Sequence, residues 1–216
     1  MKVFSDFPQG SDRWREVHLG IPTASEFKKI ITPAKGDLSA SHREFAARLV
    51  GERLTGGFDD VKELFDIHIL RGIEHEPRAL AAYQYKTGAY ARSVGFVTND
   101  EGTAGCSPDG LVYQNEGDPF ENPIGGTEFK CPTLTKFLMW QDEGILPLEH
   151  KCQVHGSLAI TGLPWWDFVA FHANFPDNLF IVRVTPDAFT EAVKSALAKF
   201  LKITDELYAK IKERLA

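Results

Sequence analysis

Hydrophobic residues recur every three or four positions in several stretches of the chain, and this is the spacing of an amphipathic helix. It predicts helices at about 41–54, 59–70, 71–87, 133–143, 148–161 and 187–215. Gly56 and Gly57 are expected to end the first helix, and Asp59 or Asp60 to cap the second. Pro77 is expected to kink the third helix or to start a new one there.

An earlier helix start is expected near residue 23, where either Thr23 or Ser25 serves as the N-cap. Phe27, Ile30 and Ile31 then supply its apolar stripe. A capped helix is a sufficient explanation of this segment. A helix N-terminus that carries hydroxyl groups is, in addition, a ready site for a phosphate.

Strand-like segments occupy the middle of the chain and one later stretch. They are predicted at about 90–97, 103–114, 125–131, 165–173 and 179–184, and the last two form a hairpin. The element order is therefore helices, three central strands, helices, a hairpin and a final helix. This order predicts an α/β or α+β fold with a central mixed sheet flanked by helices, in a single domain of residues 1–216.

Composition is compatible with one compact domain in a reducing compartment. The chain has 216 residues, of which 43% are hydrophobic, enough for a full core. No apolar run approaches the length of a membrane span, and the N-terminus is too polar for a signal peptide. The three cysteines have neither disulfide-framework nor zinc-site spacing, so we expect a cytoplasmic protein.

The net charge of −6 argues against a general nucleic-acid coat protein, which would be basic. It does not argue against an enzyme that binds phosphates locally. A carboxylate-rich metal site contributes negative charge that bound Mg²⁺ offsets.

The clearest candidate chemistry lies in a Ser-Pro-Asp-Gly turn that contains Asp109 and in a strand segment that contains Glu128, Phe129 and Lys130. Side chains alternate between the two faces of a strand, so Glu128 and Lys130 share one face while Phe129 points to the core. If the turn lies beside this strand, Asp109 converges on the same face. Two carboxylates and an ammonium group at one place make sense if a divalent metal and a phosphate complete the arrangement.

Each of these features also has a plain structural explanation. The turn sequence is a good β-turn, and a Glu-x-Lys pattern is common on the wet face of an edge strand. Glu76 is either a solvated residue of a kinked surface helix or a carboxylate on the packed face that needs a partner. Gln153 is either an ordinary helix surface residue or a side chain that faces the site and binds a nucleotide or the attacking water.

In combination, a helical Glu, a Pro-Asp turn and Glu-x-Lys on the next strand resemble the PD-(D/E)XK nuclease site. More narrowly, the chain resembles the phage lambda exonuclease and YqaJ-type viral recombinase family over nearly its whole length. The resemblance implies a restriction-endonuclease-like core. The motifs that carry it, in order, are QGSDRW with Gly20, TASE at 23–26, G-x-x-x-E-x-x-A at 72–79, Thr87-Gly88, CSPDGL at 106–111, EFKCP at 128–132 and Gln153.

The resemblance implies a metal site with two Mg²⁺ ions, for which Mn²⁺ may substitute. Asp109 and Glu128 are its main ligands, and the backbone carbonyl of Phe129 is a further one. Glu76 lies beside the second metal. Lys130 orients and activates the attacking water, and we expect its ammonium to stay charged beside the carboxylates.

The resemblance also implies residues that contact the nucleophile and the DNA end. Gln153 lies next to the nucleophile, and Ser25 and Ser107 match positions near the pocket for the 5′-phosphate. Trp14 matches a tryptophan of the N-terminal segment.

One position departs from the family pattern. The chain has His18 where the family usually has an arginine, and histidine is shorter and mostly neutral at pH 7 to 8. Preference for a 5′-phosphorylated end is therefore in question, or another cation such as Arg13 or Arg15 takes the role.

The activity that the resemblance implies is Mg²⁺-dependent 5′-to-3′ digestion of one strand of linear duplex DNA. It implies a homotrimeric ring around the DNA and a single-strand annealing protein as partner, in a bacterial host cell. The alternatives are a structure-specific endonuclease or repair nuclease on the same core, and a DNA-end-binding scaffold without catalysis. Intact Glu76, Asp109, Glu128 and Lys130 argue against the scaffold.

Overall fold

This computed structural model describes residues 1–58 and 67–215, and in the second range it describes side chains from residue 75 onward. Within these residues the fold contains eight strands, six α-helices and a short 3₁₀ helix. In chain order they are β1 (Lys2–Phe4), α1 (Asp12–His18), the 3₁₀ helix (Ala24–Lys29), α2 (His42–Thr55), α3 (Ile67–Thr87), β2 (Tyr90–Arg92), β3 (Phe96–Thr98), β4 (Gly105–Cys106), β5 (Gly110–Tyr113), β6 (Gly125–Lys130), α4 (Leu134–Glu143), α5 (Leu148–Thr161), β7 (Trp166–Phe171), β8 (Leu179–Val184) and α6 (Ala188–Leu215).

A five-stranded mixed sheet forms the centre, in the order β2-β5-β6-β7-β8. Only the β6–β7 pair is parallel among these described strands, and its register places Glu128 beside Phe168. The prediction of a mixed sheet flanked by helices is confirmed. A second, three-stranded antiparallel sheet has the order β1-β3-β4.

The predicted helices correspond closely to α2, α4, α5 and α6. Gly56 ends α2 in the left-handed conformation, as expected. The predicted helix start at Asp59 or Asp60 lies outside the described residues. The helix α3 continues through Pro77, so the expectation of a new helix there is wrong.

Two strand predictions need correction. The segments 90–97 and 103–114, each expected to form one strand, are each divided between the two sheets. The first division falls at Gly95, where a Cβ atom would lie 2.3 Å from the carbonyl oxygen of Phe7. The chain crosses another segment too closely there for a side chain, and this contact interrupts the strand. The strand β1 was not predicted, because three residues are too few to show a period of two.

The central sheet packs on both faces. On one face Tyr83 of α3 lies against Phe129, with ring centroids 5.9 Å apart. The other face holds the larger core, in which Phe45 of α2 stacks on Phe200 of α6 at 5.1 Å. Alternate side chains of β6 therefore reach helices on opposite faces. Within the described residues, each helix is too short or too polar to cross a lipid bilayer.

Candidate active site

The turn before β5 lies directly against β6, as the sequence predicts. The backbone N–H of Asp109 donates to the carbonyl of Thr127 at 3.2 Å. In return, the backbone N–H of Phe129 donates to Oδ2 of Asp109 at 2.6 Å. These bonds hold the Asp109 carboxylate at the strand segment that contains Glu128 and Lys130.

Glu128 is the centre of a hydrogen-bonded group. Its side chain is buried, and its Oε1 accepts from Nζ of Lys130 at 2.5 Å and from Nε2 of Gln153 at 2.7 Å. Gln153 is therefore not an ordinary surface residue of α5. The alternation of Glu128, Phe129 and Lys130 that the sequence predicts is confirmed, because Phe129 packs on α3.

Glu76, on α3, interacts electrostatically with Lys130 and Glu128 of this group. Its side chain is half-buried, so it is not the solvated surface residue of the plain explanation. Burial raises the pKa of Glu76 above its ordinary value, Lys130 lowers it and Glu128 raises it further. Burial also raises the pKa of Asp109, well above its ordinary value, and the Glu128 charge adds to this effect. Glu76 and Asp109 therefore resist ionisation beside Glu128.

The charges of the group do not balance. Three carboxylates (Glu76, Asp109 and Glu128) face one ammonium, that of Lys130. Burial lowers the pKa of Lys130, but the three carboxylates raise it above its ordinary value, so this lysine stays charged as expected. Two negative charges are left over when all groups ionise, and a divalent cation would neutralise them.

The side-chain atoms that could ligate a metal are all carboxylate oxygens, and these suit Mg²⁺ better than a softer metal. Within the described residues, hydrogen bonds occupy one oxygen of Asp109 and one of Glu128, which leaves the second oxygen of each for an ion. No three His, Cys, Asp or Glu side chains of the described residues already converge as ligands of one ion. The group fits the charge and the chemistry of a magnesium site, and its carboxylate side chains would rotate toward one another to bind the ion. The role of the Phe129 carbonyl stays a prediction.

The helix α1 is attached to the acidic turn through Trp14. Its indole Nε1–H donates to Oγ of Ser107 at 2.9 Å, two residues before Asp109. The Ser107 oxygen is the acceptor in this bond, so its own O–H is available to donate to a ligand. Trp14 and Ser107 thus lie together, and the roles that the resemblance implies for them stay predictions.

His18 packs against Trp14 in this region, and burial disfavours its charged form. Its ring centroid lies 4.0 Å from that of Trp14. Burial lowers the pKa of His18 below its ordinary value. Arg13 and Arg15, the alternatives considered from the sequence, form ion pairs on the exposed surface of α1 with Glu16 and Asp12, at 2.9 and 3.6 Å.

Two depressions flank the acidic group. The larger, about 410 Å³, lies on the side of Glu76 and Asp109 and is bounded by the N-terminal residues 5–9 and by 93–95. The smaller, about 180 Å³, lies on the side of Gln153. It is lined by Ser25, Lys28, Glu149, His150, Cys152 and Gln153.

Three residues of this region were assigned no role from the sequence. Gln9 donates from Nε2 to the carbonyls of Pro108 and Val94, at 2.9 and 3.2 Å, and so fixes the turn that holds Asp109. Lys28 and His150 line the smaller depression. Only the spacing of three residues between Ser25 and Lys28 could have indicated Lys28, and only if a 3₁₀ helix had been expected there.

Comparison with known proteins gives a family and several similar structures. The sequence model of the family described as YqaJ-like viral recombinase domain matches residues 13–164. Among curated proteins, no significant match was found.

Among solved structures, the alkaline exonuclease LHK-Exo from Laribacter hongkongensis has a TM-score of 0.80 and 28% sequence identity, over 95% of this chain and 98% of that one. A structure of LHK-Exo in complex with dAMP gives a TM-score of 0.78 and 29% identity over the same shares. A phage related exonuclease from Haemophilus somnus 129PT has a TM-score of 0.62 at 15% identity, over 88% of this chain and 96% of that one, which shows a shared fold.

Proposed function

The chain belongs to the YqaJ-like viral recombinase domain family, and from this membership we propose that it is a metal-dependent exonuclease that digests one strand of linear duplex DNA. The observation that carries the proposal is the joint placement of Glu76, Asp109, Glu128, Lys130 and Gln153 in one partly buried group. The exonuclease activity named for LHK-Exo, which is similar over almost the whole chain, supports it.

The chemistry of the group suits phosphodiester hydrolysis. This reaction needs a nucleophilic water, relief of charge at the phosphate, and stabilisation of the leaving oxygen. Asp109 and Glu128 would hold divalent ions, with Glu76 beside the second ion. A bound divalent cation supplies Lewis acidity toward the phosphate and makes water a better nucleophile.

Lys130 has a separate role in this proposal. Its ammonium is charged and held at Glu128, so it donates hydrogen bonds rather than taking up a proton. It orients the attacking water and stabilises negative charge on the phosphate. The amide of Gln153 is hydrogen-bonded to the same Glu128 oxygen and would lie next to that water.

The polarity of digestion in this proposal is 5′ to 3′, with 5′-mononucleotides released and a 3′ single-stranded tail left for recombination by strand annealing. LHK-Exo binds dAMP, which is a deoxynucleoside monophosphate and therefore of the same chemical class as the proposed product. The hydroxyl of Ser107, available to donate, would bind the phosphate of the DNA end together with Ser25.

The proposal includes assembly into a homotrimeric ring and binding of a single-strand annealing protein. An apolar surface supports a protein contact of this kind. Five large hydrophobic side chains between residues 134 and 148 are 42 to 63% exposed, and they are Leu134, Leu138, Met139, Ile145 and Leu148. Leu134 and Leu138 are one turn apart on α4 and so share a face of that helix, and exposed apolar side chains on one face are typical of a surface that another protein chain covers.

The first experiment compares linear and covalently closed duplex DNA of the same sequence, with Mg²⁺ and with EDTA. We expect loss of the linear DNA alone, and only with Mg²⁺. Label at the 5′ or the 3′ terminus then gives the polarity, and chromatography of the products identifies mononucleotides. Substitution of Mn²⁺ for Mg²⁺ is expected to retain activity.

Two outcomes would replace this proposal. Cleavage of the closed circle would show an endonuclease. Binding of DNA without cleavage of either form would show an end-binding scaffold, since the acidic group would then be inactive.

A further inference from the structure

The 3₁₀ helix, Ala24–Lys29, presents three different faces. Side chains three residues apart are eclipsed in a 3₁₀ helix, so each face carries one pair. Ala24 and Phe27 are buried in the core. Glu26 and Lys29 form an ion pair at 2.7 Å. The remaining pair, Ser25 and Lys28, lines the smaller depression beside Gln153.

The buried face determines where the other two point. Phe27 lies so close to α5 that a Cβ atom on Gly156 would be 2.7 Å from its ring. Because α5 also carries Gln153, this contact places Ser25 and Lys28 opposite the amide that is bonded to Glu128. The depression therefore opens beside the catalytic group.

Lys28 is the uncommitted positive charge of this depression. Among the described residues no carboxylate forms an ion pair with Lys28, whereas Lys29 is paired with Glu26. Glu149 also lines the depression, but Nζ of Lys136 lies 3.1 Å from its carboxylate and offsets its charge. His150 contributes no charge, since burial lowers its pKa to about 3.

The neighbouring basic residues are unsuited to bind a phosphate here. Nδ1 of His18 lies 2.7 Å from the carbonyl oxygen of Trp14. A carbonyl only accepts, so Nδ1 donates to it, and burial disfavours the charged ring that would carry a second N–H at Nε2. Arg48 binds two carboxylates, those of Glu26 and Glu52.

We propose that Lys28, together with Ser25, binds the 5′-terminal phosphate of the DNA end. Lys28 would supply the positive charge of the arginine that the family usually has at the position of His18. This inference rests on the proposed function, because it assigns the end-recognition residue of that same site. A depression of about 180 Å³ accommodates a phosphate group with water, while the nucleoside stays outside it. An ammonium and a hydroxyl suit a doubly charged phosphate monoester, which has acceptor oxygens only.

The first test measures binding without hydrolysis. Fluorescence anisotropy in EDTA at low salt compares duplexes that differ only in a 5′-phosphate or a 5′-hydroxyl. Wild type is expected to prefer the phosphorylated end by roughly tenfold, the size of one charge-assisted hydrogen bond. Lys28→Ala is expected to abolish the preference and Lys28→Arg to retain it. The matched control is Lys29→Ala, one residue along on another face, which should leave the preference unchanged.

The second test measures digestion rates on the same two ends with Mg²⁺. Lys28→Ala is expected to lose the rate ratio between them, and Lys29→Ala is expected to keep it. Free dAMP carries the same phosphate group, so it should inhibit wild type more strongly than Lys28→Ala.

The two proposals fail in different ways. An end preference in EDTA that is equal in wild type and Lys28→Ala, or absent from both, would overturn the assignment of Lys28, even if linear DNA is digested. Absence of digestion with a Lys28-dependent end preference would overturn the exonuclease and leave the phosphate site standing.

Discussion

A buried carboxylate on β7, beside β6, allows a quantitative prediction. Asp167 of β7 pairs with Thr127 of β6 and is almost fully buried, with 1% of its surface exposed. It accepts from the Tyr83 hydroxyl at 2.7 Å and from Nε and Nη2 of Arg183, both at 2.8 Å. Tyr83→Phe removes one of three donors to a charged group and keeps the ring that packs on Phe129.

The expected cost is that of a single charge-assisted hydrogen bond. Asp167 keeps both bonds from Arg183, so the variant does not leave an unpaired buried charge. We expect the free energy of unfolding to fall by about 1.5–3 kcal/mol. For a chain of this size that lowers the melting temperature by about 2–4 °C for each kcal/mol.

Tyr113→Phe is the matched control. The Tyr113 hydroxyl also donates a hydrogen bond, but to a neutral acceptor, the carbonyl of Phe120, at 3.1 Å. The same deletion should cost only about 0.5–1.5 kcal/mol. Urea unfolding of both variants at 25 °C gives the two numbers. If Tyr83→Phe costs no more than Tyr113→Phe, the charge on Asp167 does not strengthen the bond and the reasoning is refuted.

Four further predictions concern the acidic group, the pH dependence and assembly. Lys130→Ala should keep metal binding in calorimetry and lose hydrolysis by about 100-fold or more; retained turnover would reject its role. Asp109→Ala should weaken metal binding as well, and unchanged affinity would remove it from the ligand set. Burial lowers the pKa of His150 to about 3 in the folded protein. In the unfolded chain this histidine takes up a proton below about pH 6.5, which stabilises the unfolded state. The contribution of His150 to the free energy of unfolding is therefore present above that pH and is lost as the pH falls. Between pH 7 and pH 5 the wild type should therefore lose about 2 kcal/mol more of its unfolding free energy than His150→Phe does, and parallel losses in urea titrations would contradict this. Met139→Glu should reduce the molar mass measured by light scattering, because it breaks the apolar contact between subunits. Tyr85→Glu, at a 95% exposed position of α3, should leave the molar mass unchanged. An equal molar mass for the wild type and both variants would show that the apolar surface is not the assembly contact.

The mixed sheet could be predicted because its longest strands are well marked. The segment from Gly125 to Lys130 alternates toward two packed faces, and the hairpin of β7 and β8 has a turn rich in Asn, Asp and Pro between two apolar runs. The division of 90–97 and 103–114 between two sheets could not be predicted. It depends on where the N-terminal segment crosses, and at Gly95 that is a contact between residues far apart in the sequence.

The acidic group could be predicted for a related reason. Asp109 lies next to a strand that follows within twenty residues, so a hairpin pairing is enough to bring it to Glu128. Lys28 and Gln153 meet only through the packing of Phe27 on α5, which no local pattern records. The lowered pKa of His18 likewise depends on burial against α1 and β3, which outweighs the opposing effect of its bond to the Trp14 carbonyl.

Gln153 has a position that connects two binding events. Its amide is bonded to Glu128 and also lines the depression that we assign to the terminal phosphate. A ligand that draws this amide toward the depression removes a donor from Glu128 and changes how strongly that carboxylate holds a cation. Thermodynamic linkage makes the effect reciprocal, so the factor by which a phosphorylated end alters metal affinity equals the factor by which the metal alters affinity for that end. The enzyme would then sense a correctly seated DNA end at its metal ligands, without any movement of the backbone.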